Sequence, residues 1–141
     1  MKKNNCCTDD YGLVINILLL ALRIGVAVLM LTHGFPKLMK LISGDFGFPD
    51  PIGLGSAFSL VLAIFAEVFC SILILIGYRS RLASIPLIIL MLVALLIVHG
   101  DDPILEHWNI LLYIFTYGIL LHLGGGKYSL TYFLQSRGST K

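Results

Sequence analysis

Four long apolar runs divide this chain, and most of its charged residues lie between them. The runs cover residues 13–31, 57–76, 82–98 and 104–123. Within each run the apolar residues follow one another instead of alternating with polar ones. This favours helices over strands, because a helix satisfies its own backbone hydrogen bonds in lipid. Each run is close to the length of about 20 residues that a helix needs to cross a bilayer core of about 30 Å. The pattern therefore predicts an all-α bundle of four transmembrane helices.

The predicted helices form one membrane domain between two tails. The tails are residues 1–12 and 127–141. We do not expect the first run to be a cleaved signal peptide, because it is too long, carries Arg23 and is followed by no small-residue cleavage site. The domain covers residues 13–126, and its helices extend over about residues 13–35, 57–77, 82–99 and 104–123.

The composition agrees with a membrane protein. Hydrophobic residues make up 57% of the 141 residues and charged residues 13%, whereas a soluble domain has about 25% charged residues. The formal net charge is +2, and no basic run with interleaved aromatic residues is present, so no nucleic-acid partner is indicated. The lipid bilayer is the predicted partner instead.

Basic residues are concentrated in the tails and in the connection between the second and third runs. The first loop has only Lys37 and Lys40, and the loop 100–107 has no lysine or arginine. Because cytoplasmic segments carry the excess of Lys and Arg, both termini are predicted to be cytoplasmic. We expect this N-in/C-in topology in a bacterial inner membrane. The seven residues on the predicted cytoplasmic side are Lys2, Lys3, Arg79, Arg81, Lys127, Arg137 and Lys141.

Arg23 and Glu67 are charged residues deep inside the first and second runs. A charge in the bilayer centre costs about 3 kcal/mol or more, so such groups usually face the bundle interior and pair. At a rise of about 1.5 Å per residue, both residues lie about 15 Å from the start of their antiparallel helices. This predicts an Arg23–Glu67 ion pair near the midplane. The pair would either serve a ligand, an anion or a proton path, or only hold the two helices in register.

Three histidines are predicted at the extracytoplasmic ends of the helices. His33 and His99 each precede a glycine that is expected to end a helix, and His107 opens the fourth run. Histidine binds metals and haem and carries protons near neutral pH, but amphipathic rings also favour the headgroup region. We expect no metal site, and a single haem or metal at this rim is the alternative. Lys37 would bind an anionic ligand at the mouth or anchor to headgroups.

The loop 43–56 is rich in glycine and proline and holds two phenylalanines. Loops of this length are uncommon without a role. We expect the loop to fold back over the mouth of the bundle, with Phe46 and Phe48 turned inward or into the membrane interface. Asp50 is expected to help begin the second helix.

A polar stripe follows the fourth run. Asn109, Tyr113 and Thr116 or Tyr117 recur at helical spacing and therefore share a face. In a membrane this face is expected to point into the bundle, where amides and hydroxyls hydrogen-bond across helices. The stripe would serve either helix packing or a cavity for a quinone or another small molecule.

The cysteines give little indication of chemistry. Cys6 and Cys7 lie in the predicted cytoplasmic tail, where thiols stay reduced, and Cys70 lies within the second run. No C-x-x-C motif is present, which argues against a thioredoxin-like or zinc site. The adjacent Cys6 and Cys7 would bind a metal, carry an acyl group or be incidental.

The order of these motifs resembles the DoxX family of four-helix membrane proteins. The similar segments are ALRIGVAVLMLTHGFPKL, FPDPIGLGSAFSLVLAIFAEVFCSILILIGYRSRLA, HGDDP and GGGKYSL, from Ala21 to about Leu130. One position departs from the family pattern, because Thr131 stands where the family usually has aspartate. The positions that match the pattern are Arg23, Gly34, Lys37, Glu67, Gly77, Arg81, Gly124, Gly126, Tyr128, Ser129 and Leu130.

The resemblance implies a four-helix membrane fold and, more loosely, a redox role. The family is named for its likeness to a subunit of a thiosulfate:quinone oxidoreductase, and some relatives are described as membrane partners in redox or thiol-stress complexes. We therefore expect a membrane subunit of a quinone- or sulfur/thiol-linked oxidoreductase system, with a redox partner protein and with quinone as the candidate cofactor. A non-catalytic assembly or scaffold protein, and a small, homo-oligomeric transporter coupled to protons or anions, are the alternatives. The candidate ligand-binding residues are Arg23, His33, Lys37, Glu67, His99, His107, Asn109 and Tyr113.

Overall fold

The structure is a computed structural model that describes residues 11–101, 103 and 107–138. This part of the chain is helical and contains no strand, so the all-α prediction is confirmed. The helices are α1 Leu13–Ile42, α2 Ser56–Ile76, α3 Ser80–Val98, α4 Trp108–Leu123 and α5 Leu130–Gly138.

Three of these helices are long and apolar enough to cross a membrane. α1 has 30 residues, α2 has 21 and α3 has 19. At about 1.5 Å per residue even α3 is about 28 Å long, close to the thickness of a bilayer core. α4 is also apolar but has 16 residues in the described part of the chain. The three long helices identify an integral membrane protein.

α1 continues past its predicted end. The sequence predicts that Gly34 and Pro36 end the helix near residue 35, but α1 runs through both and ends at Ile42. Pro36 removes one N–H donor from the helix and lies on an exposed face, whereas Gly34 is buried. The predicted boundary is wrong because this glycine serves close helix packing and not the end of the helix.

Gly34 sets the approach of α1 to α2. A Cβ atom at this position would lie 2.8 Å from Val68 Cγ2 and 2.9 Å from Glu67 Cβ. The backbone carbonyl carbon of Glu67 would be 3.2 Å away, so a side chain fits only if the helices separate. Small residues at such positions let transmembrane helices pack closely, and Gly34 therefore determines which residues of α1 face Glu67.

We expect Gly34→Ala to lower the stability of the protein in detergent, because overpacking a tight site costs about 1–3 kcal/mol. Gly25→Ala on the same helix is the matched control, since its added Cβ would meet nothing within 4 Å. At both positions alanine favours the helix over glycine by about 1 kcal/mol. Thermal unfolding followed by circular dichroism measures both variants. A Gly34→Ala protein as stable as Gly25→Ala would contradict the close contact between α1 and α2.

α2 and α3 each contain a π-helical segment. In α2 it covers Phe65–Cys70 and includes Glu67, and in α3 it covers Ala94–Val98. π-helical turns are rare and occur frequently at functional sites. Both segments contribute residues to one groove between α2 and α3.

The hydrophobic core lies between α1, α2, α3 and α4. Large apolar side chains also cover the outward faces of these helices, for example Leu18, Leu96 and Phe115, which are all more than half exposed in the isolated chain. Helices that are apolar all round are typical of membrane spans, so lipid is expected to cover the outward faces. The core residues include Leu19, Met30, Ile74, Leu87, Tyr117 and Leu120.

Part of the predicted C-terminal tail is helix α5, which is joined to the turn between α2 and α3. Thr131 Oγ1 donates a hydrogen bond to the Gly77 carbonyl at 3.0 Å and accepts one from the Arg79 N–H at 2.8 Å. An ionised aspartate, usual at this position in the family pattern, would accept but not donate. Thr131 therefore makes a second bond to this turn that an aspartate would lack.

Candidate functional site

Polar side chains are buried near both ends of the bundle. The basic end comprises residues 77–82, between α2 and α3, and residues 124–130, before α5. The loop end comprises the loop 43–55 and the helix ends beside it. Arg23 belongs to the basic end, whereas Glu67 faces the loop end.

Arg23 is almost completely buried, with 2% of its surface exposed. Its Nη1 donates a hydrogen bond to the Gly125 carbonyl at 2.7 Å, and its Nη2 donates to the Tyr128 carbonyl at 3.1 Å. Nη2 also lies 3.5 Å from the Leu75 carbonyl in the last turn of α2. The guanidinium therefore ties α1 to the end of α2 and to the segment before α5.

The predicted Arg23–Glu67 pair is wrong. Arg23 binds backbone carbonyls, and Glu67 forms its ion pair with Lys37. The prediction placed the end of α1 near residue 35, whereas α1 continues to Ile42 and packs Gly34 against Glu67. Arg23 lies 11 residues before Gly34, or about 16 Å along the helix axis, so it cannot reach Glu67.

Lys37 Nζ donates a hydrogen bond to Glu67 Oε1 in a largely buried ion pair. The Glu67 side chain is 4% exposed and the Lys37 side chain 27%. The second carboxylate oxygen, Oε2, is buried and has no hydrogen-bond partner among the described residues. Since buried carboxylate oxygens are normally hydrogen-bonded, Oε2 is the position in this site with unused capacity for a ligand or a proton.

The ion pair borders an apolar groove of about 470 Å³ between α2, α3 and the loop 43–55. Lys37 and Glu67 are its charged lining residues among the described part of the chain. Its size falls within the range of about 300–1,000 Å³ typical of small-molecule sites, which combine apolar walls with a few polar groups. Other lining residues are Phe48, Ser59, Phe65, Pro86, Met91 and Ala94.

The loop 43–55 covers one side of this groove. The ring of Phe48 is half-buried and lies 5.5 Å from Lys37 Nζ, a cation–π distance. Phe46 is 48% exposed. The expected folding of the loop over the mouth of the bundle therefore holds for Phe48, while Phe46 faces outward.

Asp50 holds the start of α2. Its carboxylate accepts hydrogen bonds from Ser59 Oγ at 2.8 Å, from the Gly55 N–H at 2.7 Å and from the Leu54 N–H at 3.0 Å. The Ser59 hydroxyl, followed by the Gly55 N–H, lowers the pKa of the Asp50 carboxyl below its usual value. The sequence-based role of Asp50 at the start of the second helix agrees with this geometry.

The three histidines do not converge. The rings of His99 and His107 are 3.9 Å apart, centroid to centroid. His33 is exposed, and its ring is T-shaped to the Tyr113 ring, with 6.1 Å between the centroids. No group of three metal-ligating residues occurs in the part of the chain that the structure describes. Cys6 and Cys7 lie outside the described residues.

The polar stripe of α4 enters the bundle only in part. Tyr117 is fully buried and stacks with the half-buried Tyr113, with 6.3 Å between the ring centroids. Asn109 is exposed, and its Oδ1 accepts a hydrogen bond from the Ile110 N–H. Asn109 therefore does not join the site around Glu67.

Asn16 is a buried polar residue that sequence reasoning missed. It is 2% exposed, its Nδ2 donates to the carbonyls of Tyr11 and Gly12, and its Oδ1 accepts from the Lys127 N–H at 2.8 Å. Asn16 thus joins the start of α1 to the segment before α5. The signal in the sequence was an amide inside the first apolar run, where each polar side chain needs a partner.

These features define a class: a helical integral membrane protein with a buried ion pair in a lateral apolar groove and a buried arginine that joins its terminal segments. A family model described as DoxX matches residues 18–100, more than half of the chain. The chain belongs to the DoxX family, which confirms the resemblance found in the sequence. Comparison with curated proteins and with solved structures gave no match. Arg23, Lys37 and Glu67 lie within the matched residues, whereas α4 and α5 lie outside them.

Proposed function

We propose that this protein is the membrane subunit of an oxidoreductase system and that it binds a quinone in the groove beside Lys37 and Glu67. The observation that carries the proposal is a buried ion pair at an otherwise apolar groove, with the Glu67 Oε2 atom unpartnered among the described residues. A quinone combines carbonyl oxygens with an apolar ring and tail. The groove offers matching polar and apolar surfaces at one site.

The residues of the groove fit distinct parts of such a ligand. The Lys37 ammonium has three N–H donors and binds Glu67 Oε1 with one of them, so it can also donate to a quinone carbonyl. Phe48 and Phe65 offer aromatic surface for the ring. The open side of the groove, toward the lipid-facing surface of α2 and α3, would admit an apolar tail.

A bound quinone would supply the electron-accepting ring. Glu67 would hold a proton at Oε2 and deliver it to a carbonyl oxygen, and Lys37 would orient that oxygen and stabilise negative charge on it. The electrons would come from a partner protein.

We also propose that the protein has four membrane spans and an N-in/C-in arrangement in a bacterial inner membrane. Arg79 and Arg81 lie beside α5 at the basic end. The connection between α2 and α3 and the C-terminal segment, which both carry basic residues, therefore lie at the same end of the bundle. An excess of basic residues at one end is typical of the cytoplasmic side. α4, at 16 residues, is about 24 Å long and would be the fourth span. A second copy of the chain is a further proposed partner.

The test is binding of decylubiquinol, the reduced form of a short-tailed quinone, to the purified protein in maltoside micelles and anaerobic buffer, measured by isothermal titration calorimetry. After the proton has moved, Glu67 would be ionised, and its Oε2 atom would accept a hydrogen bond from the hydroxyl group of the quinol. We expect the wild type to bind the quinol and Glu67→Gln to bind it about tenfold or more weakly, because a hydrogen bond to a charged group is worth about 1.5–3 kcal/mol. Asp45→Asn is the matched control, since it removes an exposed acid at the same end of the bundle.

Circular dichroism verifies that both variants are folded. Lys37 keeps a neutral acceptor in Glu67→Gln and is partly exposed, so we expect the fold to survive. Absence of quinol binding in the wild type, or equal binding in the wild type and Glu67→Gln, would contradict the proposal. Either result would favour a scaffold or a transporter.

A further inference from the structure

A second cavity, of about 340 Å³, opens at the basic end of the bundle. It shares no lining residue with the groove beside Lys37 and Glu67. It lies between the start of α3, the segment before α5 and the first turns of α5. We call it the basic cleft. Its lining residues include Gly77, Arg79, Ser80, Arg81, Gly125 and Thr131.

The amino terminus of α3 opens into this cleft. Arg79 precedes the helix in a left-handed conformation, with φ 46° and ψ 45°, and its side chain forms no capping hydrogen bond. The first backbone N–H groups of a helix have no partner within the helix, and the helix dipole is positive at this end. Ser80, Arg81 and Leu82 of this first turn all line the cleft.

Ser80 provides an independent indication of a ligand. The residue is 4% exposed, lines the cleft, and its Oγ has no hydrogen-bond partner among the described residues. Its backbone carbonyl, in contrast, accepts a hydrogen bond from Ser84 Oγ at 2.8 Å. Buried hydroxyl groups are normally hydrogen-bonded, so the Ser80 hydroxyl indicates a polar group bound in the cleft.

The cleft is strongly positive. Arg79 and Arg81 line it, and the Arg23 guanidinium lies directly beneath its glycine floor. A Cβ atom on Gly77 would come 2.5 Å from Arg23 Nη1, and one on Gly125 would come 3.1 Å from it. The sequence has no aspartate or glutamate between residues 77 and 100 and none after residue 106. The segments that build the cleft therefore carry positive charge without acidic residues of their own.

We propose that the basic cleft binds a phosphate group. Guanidinium groups bind phosphate oxygens through pairs of N–H donors, and helix amino termini bind phosphate through their free N–H groups. The Ser80 hydroxyl adds one more donor in the most buried part of the cleft. The phosphate comes from a lipid headgroup or from a free phosphate compound, and both place the same chemical group between Arg79, Arg81 and the start of α3.

The test measures binding of two probes to the purified protein in maltoside micelles and phosphate-free buffer. The probes are inorganic phosphate and dihexanoyl phosphatidic acid, and dihexanoylglycerol is the control lipid without phosphate. We expect Arg79→Gln and Ser80→Ala each to weaken binding about tenfold, through loss of one hydrogen bond to a charged group. Arg137→Gln is the matched control, because it removes the same charge from the exposed face of α5.

The two probes distinguish the sources of the phosphate. Binding of phosphatidic acid alone assigns the cleft to a lipid headgroup, and binding of both probes assigns it to free phosphate compounds as well. A phosphorus assay of the purified samples detects a ligand that copurifies, which the two cleft variants are then expected to lose. Arg79 is exposed, so Arg79→Gln tests the site even if Ser80→Ala unfolds. No binding of either probe and no copurified phosphorus, or equal binding in wild type and Arg79→Gln, would overturn the proposal.

Discussion

Replacing Arg23 with leucine is expected to release the C-terminal segment from the bundle, even though it makes α1 more apolar. The guanidinium donates hydrogen bonds to the carbonyls of Gly125 and Tyr128. Leucine would leave both acceptors without this donor, at a cost of about 1–3 kcal/mol each. Lys127 is exposed and lies between Gly125 and Tyr128 in the chain. We therefore expect trypsin to cleave after Lys127 on the order of tenfold faster or more.

Two variants separate this effect from loss of charge. Arg137→Leu removes an exposed arginine from α5 and should leave cleavage after Lys127 unchanged. Arg23→Lys keeps the charge but lacks the planar fork that reaches two carbonyls, so its cleavage rate should be intermediate. A wild-type rate in Arg23→Leu would show that the segment is held by other contacts, such as the bond between Asn16 and the Lys127 N–H.

Replacing Lys37 with methionine is expected to destabilise the protein by about 3–5 kcal/mol, because it leaves the buried Glu67 carboxylate without its partner. Thermal unfolding in maltoside micelles measures the loss. Lys40→Met is the matched control, since Lys40 is exposed one turn further along the same helix. Its removal should change stability by no more than about 1 kcal/mol.

The double variant Lys37→Met/Glu67→Gln should regain much of the lost stability. It buries a neutral amide instead of an isolated carboxylate, and the two substitutions are therefore expected to be strongly non-additive. Additive losses would mean that Lys37 and Glu67 do not interact in the folded protein. The same cycle measures the interaction energy between Lys37 and Glu67 in the folded protein.

Helix identity was predictable because it depends on local composition. Long runs of apolar residues form helices in lipid whatever their neighbours are, and the all-helical structure follows that rule. Helix ends were less predictable, since glycine and proline are tolerated inside a helix when packing compensates. At Gly34 the compensating contact is with Glu67 and Val68, and no local pattern in α1 reveals it.

The partners of the buried charges depended on the register between helices. The sequence indicated that Arg23 and Glu67 need partners, because isolated charges in a membrane are unfavourable. Extension of α1 to Ile42 shifts its pairing with α2, so that Lys37 meets Glu67. The sequence could not show that backbone carbonyls are the partners of Arg23, since every residue has a backbone carbonyl. The folded conformation of segment 124–130 decides which of these carbonyls point toward Arg23.

The amino-acid sequence was sufficient to give the membrane class, the helical fold, the family and the two charged residues, Arg23 and Glu67, that need buried partners. Each of these follows from hydropathy, charge or motif order along the chain, and none requires knowledge of distant contacts. Tertiary structure alone decided which partners those residues have, and where the groove and the basic cleft lie. Both cavities form between segments far apart in sequence, and a shift of a few residues in helix packing would line them with different side chains.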